Sequence, residues 1–153
     1  MKRPHRRGFL AGIAGAIALP ATWWTGAHAQ QLRPLEPLLL ALAGGAPVRK
    51  GRVSLDLPQL ADNGNAVLLK VSVDSPMSAT DHVKSLHLIS NRNPVARMAN
   101  FYLGPRAGRA QIVTRVRLAG SQTVTAVAAL SDGSFWMDSA QIVVTLSACL
   151  DES

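Results

Sequence analysis

Thr114-Arg115-Val116-Arg117-Leu118 decides the fold, because polar and apolar residues alternate through it with a period of two. That period puts Arg115 and Arg117 on one face of a strand and the flanking Val116 and Leu118 on the other, the pattern of a half-buried β-strand. The arginines therefore face solvent or a partner.

The same texture continues in both directions. Strands are expected at Val53 to Leu57, Ala66 to Val73, Val83 to Ser90, Met98 to Leu103, Ile112 to Leu118, Thr123 to Leu130, Phe135 to Met137 and Gln141 to Leu146. Between them stand chain breakers: Pro58, Asp74-Ser75-Pro76, Asn91 to Pro94, Gly120-Ser121 and Asp132-Gly133. Asp62-Asn63-Gly64-Asn65 is a tight-turn signal, since Asn and Gly accept the positive φ that such turns require. Gly104-Pro105-Arg106-Ala107-Gly108 lacks the Lys-Ser/Thr ending of a phosphate loop and reads as a hairpin turn. Seven or eight short strands at this spacing predict an all-β, antiparallel β-sandwich. Ahead of them a short N-terminal helix is expected over Pro34 to Leu42, stopped by Gly44 and Gly45.

The first 29 residues have a different character. Met1 to Arg7 is basic, Gly8 to Pro20 is apolar, and Ala27-His28-Ala29 is a small-x-small cleavage site that makes Gln30 the expected mature N-terminus. The pair Arg6-Arg7, followed by Gly8-Phe9-Leu10, matches a twin-arginine signal, the form that exports folded proteins. The apolar run is too short to span a bilayer, and no later stretch approaches about 18 uninterrupted apolar residues. The expectation is a soluble periplasmic protein with no membrane attachment in its mature form. Losing Lys2, Arg3, Arg6 and Arg7, with no acid among them, lowers the formal charge from +7 to +3, which removes most support for a nucleic-acid partner.

One cysteine, Cys149, lies near the end of the sequence. It allows no intramolecular disulfide, although the compartment would permit one, so stability must come from packing. A lone thiol on a tail is available for chemistry. The two histidines past the signal, His82 and His87, are five residues apart, a spacing that suits neither a helical face nor a same-face strand pair and so argues against a zinc or haem site. Asp81-His82 with nearby serines lacks the Gly-x-Ser-x-Gly elbow of a hydrolase. Of the aromatic pairs Phe101-Tyr102 and Phe135-Trp136, one member of each should enter the core and the other cover an edge or a partner. Tyr102 and Trp136 are the candidates for a subunit contact.

A series of motifs runs through these segments in order: Asp56-x-Pro58-x-x-Ala61-Asp62-Asn63-Gly64, Val71-x-Val73-Asp74-Ser75-Pro76-Met77, Asn93-Pro94, Phe101-x-Leu103-Gly104-Pro105-x-Ala107-Gly108, Thr114-Arg115-x-Arg117-Leu118-Ala119 and Ser131-Asp132-Gly133-Ser134-Phe135-Trp136. Together, from about Gly51 to Cys149, they resemble the SoxY family, the sulfur-carrier subunits of periplasmic thiosulfate oxidation. The resemblance implies an immunoglobulin-like sandwich, a heterodimer with a SoxZ-like subunit and export by the twin-arginine route. It also implies that a tail cysteine, here Cys149, is the covalent sulfur attachment site. That cysteine would visit a haem-containing loading enzyme, a sulfate-releasing hydrolase and a sulfane dehydrogenase. The carrier itself would be no enzyme and would bind no cofactor or metal.

The tail departs from the family pattern, which sets the cysteine in Gly-Gly-Cys-Gly-Gly. Here the segment is Ser147-Ala148-Cys149-Leu150-Asp151-Glu152-Ser153. Without glycine it is stiffer, and Val143, Val144 and Leu146 can carry the last strand almost to the thiol. Asp151 and Glu152 place negative charge near the sulfur, which raises a thiol pKa above the ordinary cysteine range and repels an anionic substrate. The chain thus divides into a signal peptide at 1–29, a helix and linker at 30–50, a SoxY-like β-sandwich at 51–146 and a cysteine-bearing tail at 147–153. The expected role is a periplasmic covalent carrier of sulfur intermediates; the alternative is a SoxY-like structural or binding module that no longer carries sulfur.

Overall fold

The computed structural model of the chain describes residues 32–146. The alternating segments form β1 (Val48–Lys50), β2 (Val53–Asp56), β3 (Leu60–Asn63), β4 (Val67–Val73), β5 (Val83–Ser90), β6 (Arg97–Tyr102), β7 (Gln111–Val116), β8 (Gln122–Leu130) and β9 (Phe135–Leu146), after one helix, α1 (Glu36–Ala43). One sheet has the order β1-β9-β8-β5-β6, with β3 also on β9; the other has the order β2-β4-β7. Their inner faces meet in a core that includes Leu69, Val71, Leu86, Leu88, Val124 and Ala128, each at most 1% exposed. Burying a side chain of valine or leucine size contributes about 1.5–3 kcal/mol, so this sandwich is held by packing, as a chain with one cysteine requires.

Pairing is antiparallel except at the outer edge of β9, where β1 and β3 both run parallel to it. Val48 to Lys50 lie opposite Phe135 to Met137, and Leu60 to Asn63 lie opposite Val143 to Leu146. Between these contacts the chain crosses to the other sheet as β2 and returns. The crossing is fastened by Asp138, whose Oδ2 accepts the Leu55 N–H at 2.8 Å. An unbroken ladder with β8 from Phe135 to Ile142 makes β9 one strand of 12 residues and not the two expected at Phe135 to Met137 and Gln141 to Leu146. The polar interval has no hydrophobic pattern, yet Asp138 binds β2 and the Ser139 hydroxyl pairs with Thr125 Oγ1 at 2.7 Å.

Two turns differ from expectation. Asn63 is extended, at φ −139° and ψ 125°, and its Oδ1 accepts the Asn65 N–H at 2.8 Å to open a short 3-10 turn. Gly64 is not among the residues with positive φ. A hairpin is not needed here, because β3 and β4 belong to different sheets. For the same reason Pro105–Ala107 is a 3-10 arch and not a hairpin turn: it carries the chain from β6 in one sheet to β7 in the other. α1 ends as expected, on Gly44 in the left-handed conformation at φ 59°.

A second apolar layer escaped the pattern. Ile89 and Val127 are fully buried yet lie outside the inter-sheet core, and alternation puts them on the outer face of the larger sheet. Val127 pairs with Met137, and Met137 lines a hollow with Glu36, Leu39 and Leu40 of α1. The helix therefore roofs this face.

Candidate functional site

The last strand leads to the tail, and its end is pinned on both sides. Asn63 lies opposite Leu146, the Thr145 hydroxyl donates to Asp62 O at 2.7 Å, and the Val144 N–H donates to Ser121 Oγ at 3.0 Å. Cys149 lies outside the described residues, as do Arg6, Arg7, the Ala27-His28-Ala29 site, Asp151 and Glu152. Covalent geometry bounds its reach: three residues beyond Leu146 span at most about 11 Å.

Beside this strand end the chain builds a buried polar cluster. Asn93 Nδ2 donates to Arg117 O at 2.8 Å, while Asn93 Oδ1 accepts from Ala119 N at 2.9 Å and from Gln122 Nε2 at 3.0 Å. Ser90 Oγ donates to Gln122 Oε1 and accepts the N–H groups of Arg92 and Asn93. Buried amides must be satisfied, and Asn93 meets that requirement by tying the β7–β8 connection and the start of β8 to the Asn91 to Pro94 turn. Sequence reasoning read this stretch only as a turn; its one signal was Asn93-Pro94 standing in the motif series.

Arg92 is held against the same cluster. Its Nη1 donates to Ser121 O at 3.1 Å, and its guanidinium lies so close to Gly120, at φ 138°, that a Cβ there would stand 2.9 Å from Cζ. Its Nε is shut off from solvent and has no hydrogen-bond partner among the described residues. Ser121 thus touches Arg92 through its carbonyl and the root of the tail through its hydroxyl.

The stretch of chain that supplies the cleft between β6 and β7 carries charge of one sign. Between Asp81 and Asp132 the sequence has no carboxylate and seven cations, Lys84, Arg92, Arg97, Arg106, Arg109, Arg115 and Arg117. Arg115 and Arg117 are exposed, as alternation requires. A cleft of about 400 Å³ between β6 and β7 is lined by Asn93, Arg97, Arg115 and Arg117 among others, none of them acidic. The Arg52–Asp81 ion pair, at 3.2 Å, lies elsewhere and is partly exposed, so it adds little to stability. Asp132, in the β8–β9 turn, is held below its ordinary pKa by the Ser134 hydroxyl and then by the Ser134 N–H.

The other polar residues are occupied locally. His82 Nδ1 is 3.1 Å from Ser78 O, and Asp81 binds Arg52, so the two do not form a relay. His87 stands between Ser85 Oγ, 3.0 Å from Nε2, and Asn100 Oδ1, 2.7 Å from Nδ1. This has the connectivity of a triad, but it lies across two neighbouring strands and none of the three residues lines a described cavity. Among the described residues no group of three or more His, Cys, Asp or Glu gathers to hold a metal. Of the aromatic candidates, Trp136 packs on its own domain: Nε1 donates to Ser134 Oγ at 2.9 Å, and Arg49 sits 5.9 Å above the ring. Tyr102 stays open, 80% exposed on the edge strand β6.

Comparison with known proteins follows this geometry. The protein-family model described as sulfur oxidation protein SoxY matches residues 40–149. Among solved structures, the sulfur carrier protein SoxY from Chlorobium limicola f thiosulfatophilum aligns with a TM-score of 0.61 and 20% identity, covering 73% of this chain and 96% of that one. Superoxide reductase (neelaredoxin) from Ignicoccus hospitalis aligns with a TM-score of 0.53 and 15% identity over 61% of this chain and 80% of that one. A putative superoxide reductase from Thermotoga maritima aligns with a TM-score of 0.53 and 17% identity over 64% and 87%. At these identities the structures show a common fold. No curated protein matches the chain. A family match over residues 40–149, on a sandwich of the same build, places the chain in the SoxY family of sulfur oxidation proteins.

Proposed function

We propose that the chain is a covalent carrier of sulfur intermediates in thiosulfate oxidation, acting in the periplasm through the thiol of Cys149. The observation that carries this reading is where the family match ends: its last residue, 149, is the one cysteine of the sequence. A thiolate is the nucleophile and the sulfur acceptor, and a substrate held covalently cannot diffuse away between enzymes. Arg6-Arg7 and Ala27-His28-Ala29 support export of a folded chain. A SoxZ-like partner is supported by the edge strands β6 and β7, each paired on one side, and by Tyr102 standing exposed on β6, since a small sandwich must cover or blunt such edges. The transient partners are the loading, hydrolysing and oxidising enzymes of the pathway, the loading enzyme containing haem.

The second reading, a SoxY-like module that no longer carries sulfur, draws on one feature. β9 stays paired to Leu146 and no glycine follows it, so the thiol has a short tether. Intact mass after incubation with thiosulfate and the pathway enzymes separates the two. The carrier gains reductant-labile mass that Cys149→Ser abolishes, while the stability of that variant stays within about 0.5 kcal/mol of wild type. Thiosulfate oxidation at the wild-type rate by Cys149→Ser, in cells without another SoxY, would leave the module standing.

A further inference from the structure

The arginines of the β6–β7 side ask for more explanation than solubility. Charged residues on edge strands prevent sheets from pairing wrongly, and that accounts for Arg97 on β6 and Arg115 on β7. It does not account for the missing counter-charges: seven cations and no carboxylate stand between Asp81 and Asp132. Nor does it account for Arg92. A long side chain loses rotamer entropy when fixed, yet this one is fixed by Ser121 O and by contact with Gly120, with its Nε buried and unpartnered among the described residues. The closed Nε is not the atom an incoming ligand meets; the Nη edge of a guanidinium already immobilised against Ser121 and Gly120 is, and that planar edge suits an oxyanion.

The surroundings agree. Arg117 offers its carbonyl to Asn93, so its backbone is anchored while its side chain remains exposed. Arg97, Arg115 and Arg117 line one cleft with Asn93. Arg33 Nη1 donates to Pro94 O at 3.0 Å, adding a cation to the same turn. The cluster also lies at the end of the sandwich from which the tail leaves, because Ser121 contacts both Arg92 and Val144.

We propose that Arg92 and the neighbouring cleft lined by Arg97, Arg115 and Arg117 form a binding site for a sulfur oxyanion, either free in solution or carried on Cys149. The anion chemistry stands on the arginines alone; the choice of sulfur rests on the proposed function.

The test uses the full mature chain and follows the arginine Nε–Hε resonances by NMR. In the first arm, sodium sulfate and sodium thiosulfate are titrated into Cys149→Ser against sodium chloride at matched ionic strength. A saturating shift of Arg92 and Arg117 is expected, weakened about tenfold in Arg92→Gln by loss of a charge-assisted hydrogen bond. Because Arg92 packs on Gly120, the exposed Arg117→Gln serves as the second variant and should weaken binding in the same direction. In the second arm, wild-type thiolate reacts with tetrathionate: Sγ attacks the central S–S bond, a new Sγ–S bond forms, and thiosulfate leaves with the electron pair. The product carries a terminal sulfonate on Cys149, and after excess tetrathionate and the released thiosulfate are removed by desalting the same resonances should stand shifted.

A response in the first arm alone identifies a free oxyanion, and one in the second alone identifies the carried group; either supports the site. Shifts no larger than those with chloride in the first arm, together with none in the second, would overturn it. Phosphate binding as tightly as sulfate would overturn the assignment to sulfur oxyanions. These outcomes are independent of enzymatic loading, so they fail separately from the carrier reading.

Discussion

Along β9 the sandwich is closed, whereas along β6 and β7 it is open. On the closed side β1 and β3 cap the two ends of one long strand, and Asp138 fastens β2 across the interval. On the open side each edge strand has one neighbour, and the exposed groups are Tyr102 and a run of arginines. The closed side fixes where the tail begins. The open side supplies the surface on which recognition can act. Paired and open edges thereby lie on opposite sides, and the Asn93 and Ser121 hydrogen bonds join them at one end.

The change that most disturbs this meeting point is Asn93→Ala. It leaves Arg117 O, Ala119 N–H and the Gln122 amide without their partner in a buried cluster, for an expected loss of about 3 kcal/mol in urea unfolding. A loss below about 1 kcal/mol would mean that the two sides are joined by other contacts. Asp138→Ala breaks the closed side alone. It removes a carboxylate acceptor from Leu55 N–H, with an expected loss of about 1–3 kcal/mol. Amide exchange should accelerate at Leu55 while β7 keeps its protection.

Arg115→Gln with Arg117→Gln should sharpen the contrast from the other direction. Both side chains are exposed, so unfolding free energy should stay within about 0.5 kcal/mol. The association rate with a SoxZ-like chain at low salt is the quantity to follow, and a change in it would place the partner on the open side. The smallest effect belongs to Asp132. Its folded pKa lies below the ordinary value of 3.8 because Ser134 donates to the ionised form. The stabilisation is therefore present above that value and lost as pH falls through the folded one. Carboxylate resonances followed from pH 5 downward should show Asp132 titrating below the ordinary value, and Asp132→Asn should remove this pH dependence.

Much of the sandwich was legible because alternation is a local property. Val83 to Ser90 forms the expected strand without adjustment, and the Arg115-Val116-Arg117-Leu118 pattern faces as its period requires. What alternation cannot convey is which sheet a strand joins. Hence the Gly104 to Gly108 segment reads as a hairpin turn and Asn63-Gly64 as a tight turn with positive φ, while both are crossings between sheets. β1 is three residues long and has no period to detect, and β9 is held through its polar interval by partners far away in sequence. The candidate site divides similarly. Cys149 is conspicuous in the sequence as a single thiol, but the Asn93 cluster and the seat of Arg92 on Gly120 exist only once distant segments are brought together.

Because the last backbone pairing among the described residues is at Leu146, trimming the chain back to that point would part the sandwich from Cys149. An exopeptidase that trims back to that point removes the sulfur atom and leaves every described strand intact. On the carrier reading proposed above, the clipped chain would keep its sandwich and deliver nothing. Even a modest fraction of such chains in a preparation would act as silent competitors, so activity should be normalised to titratable thiol and not to protein mass.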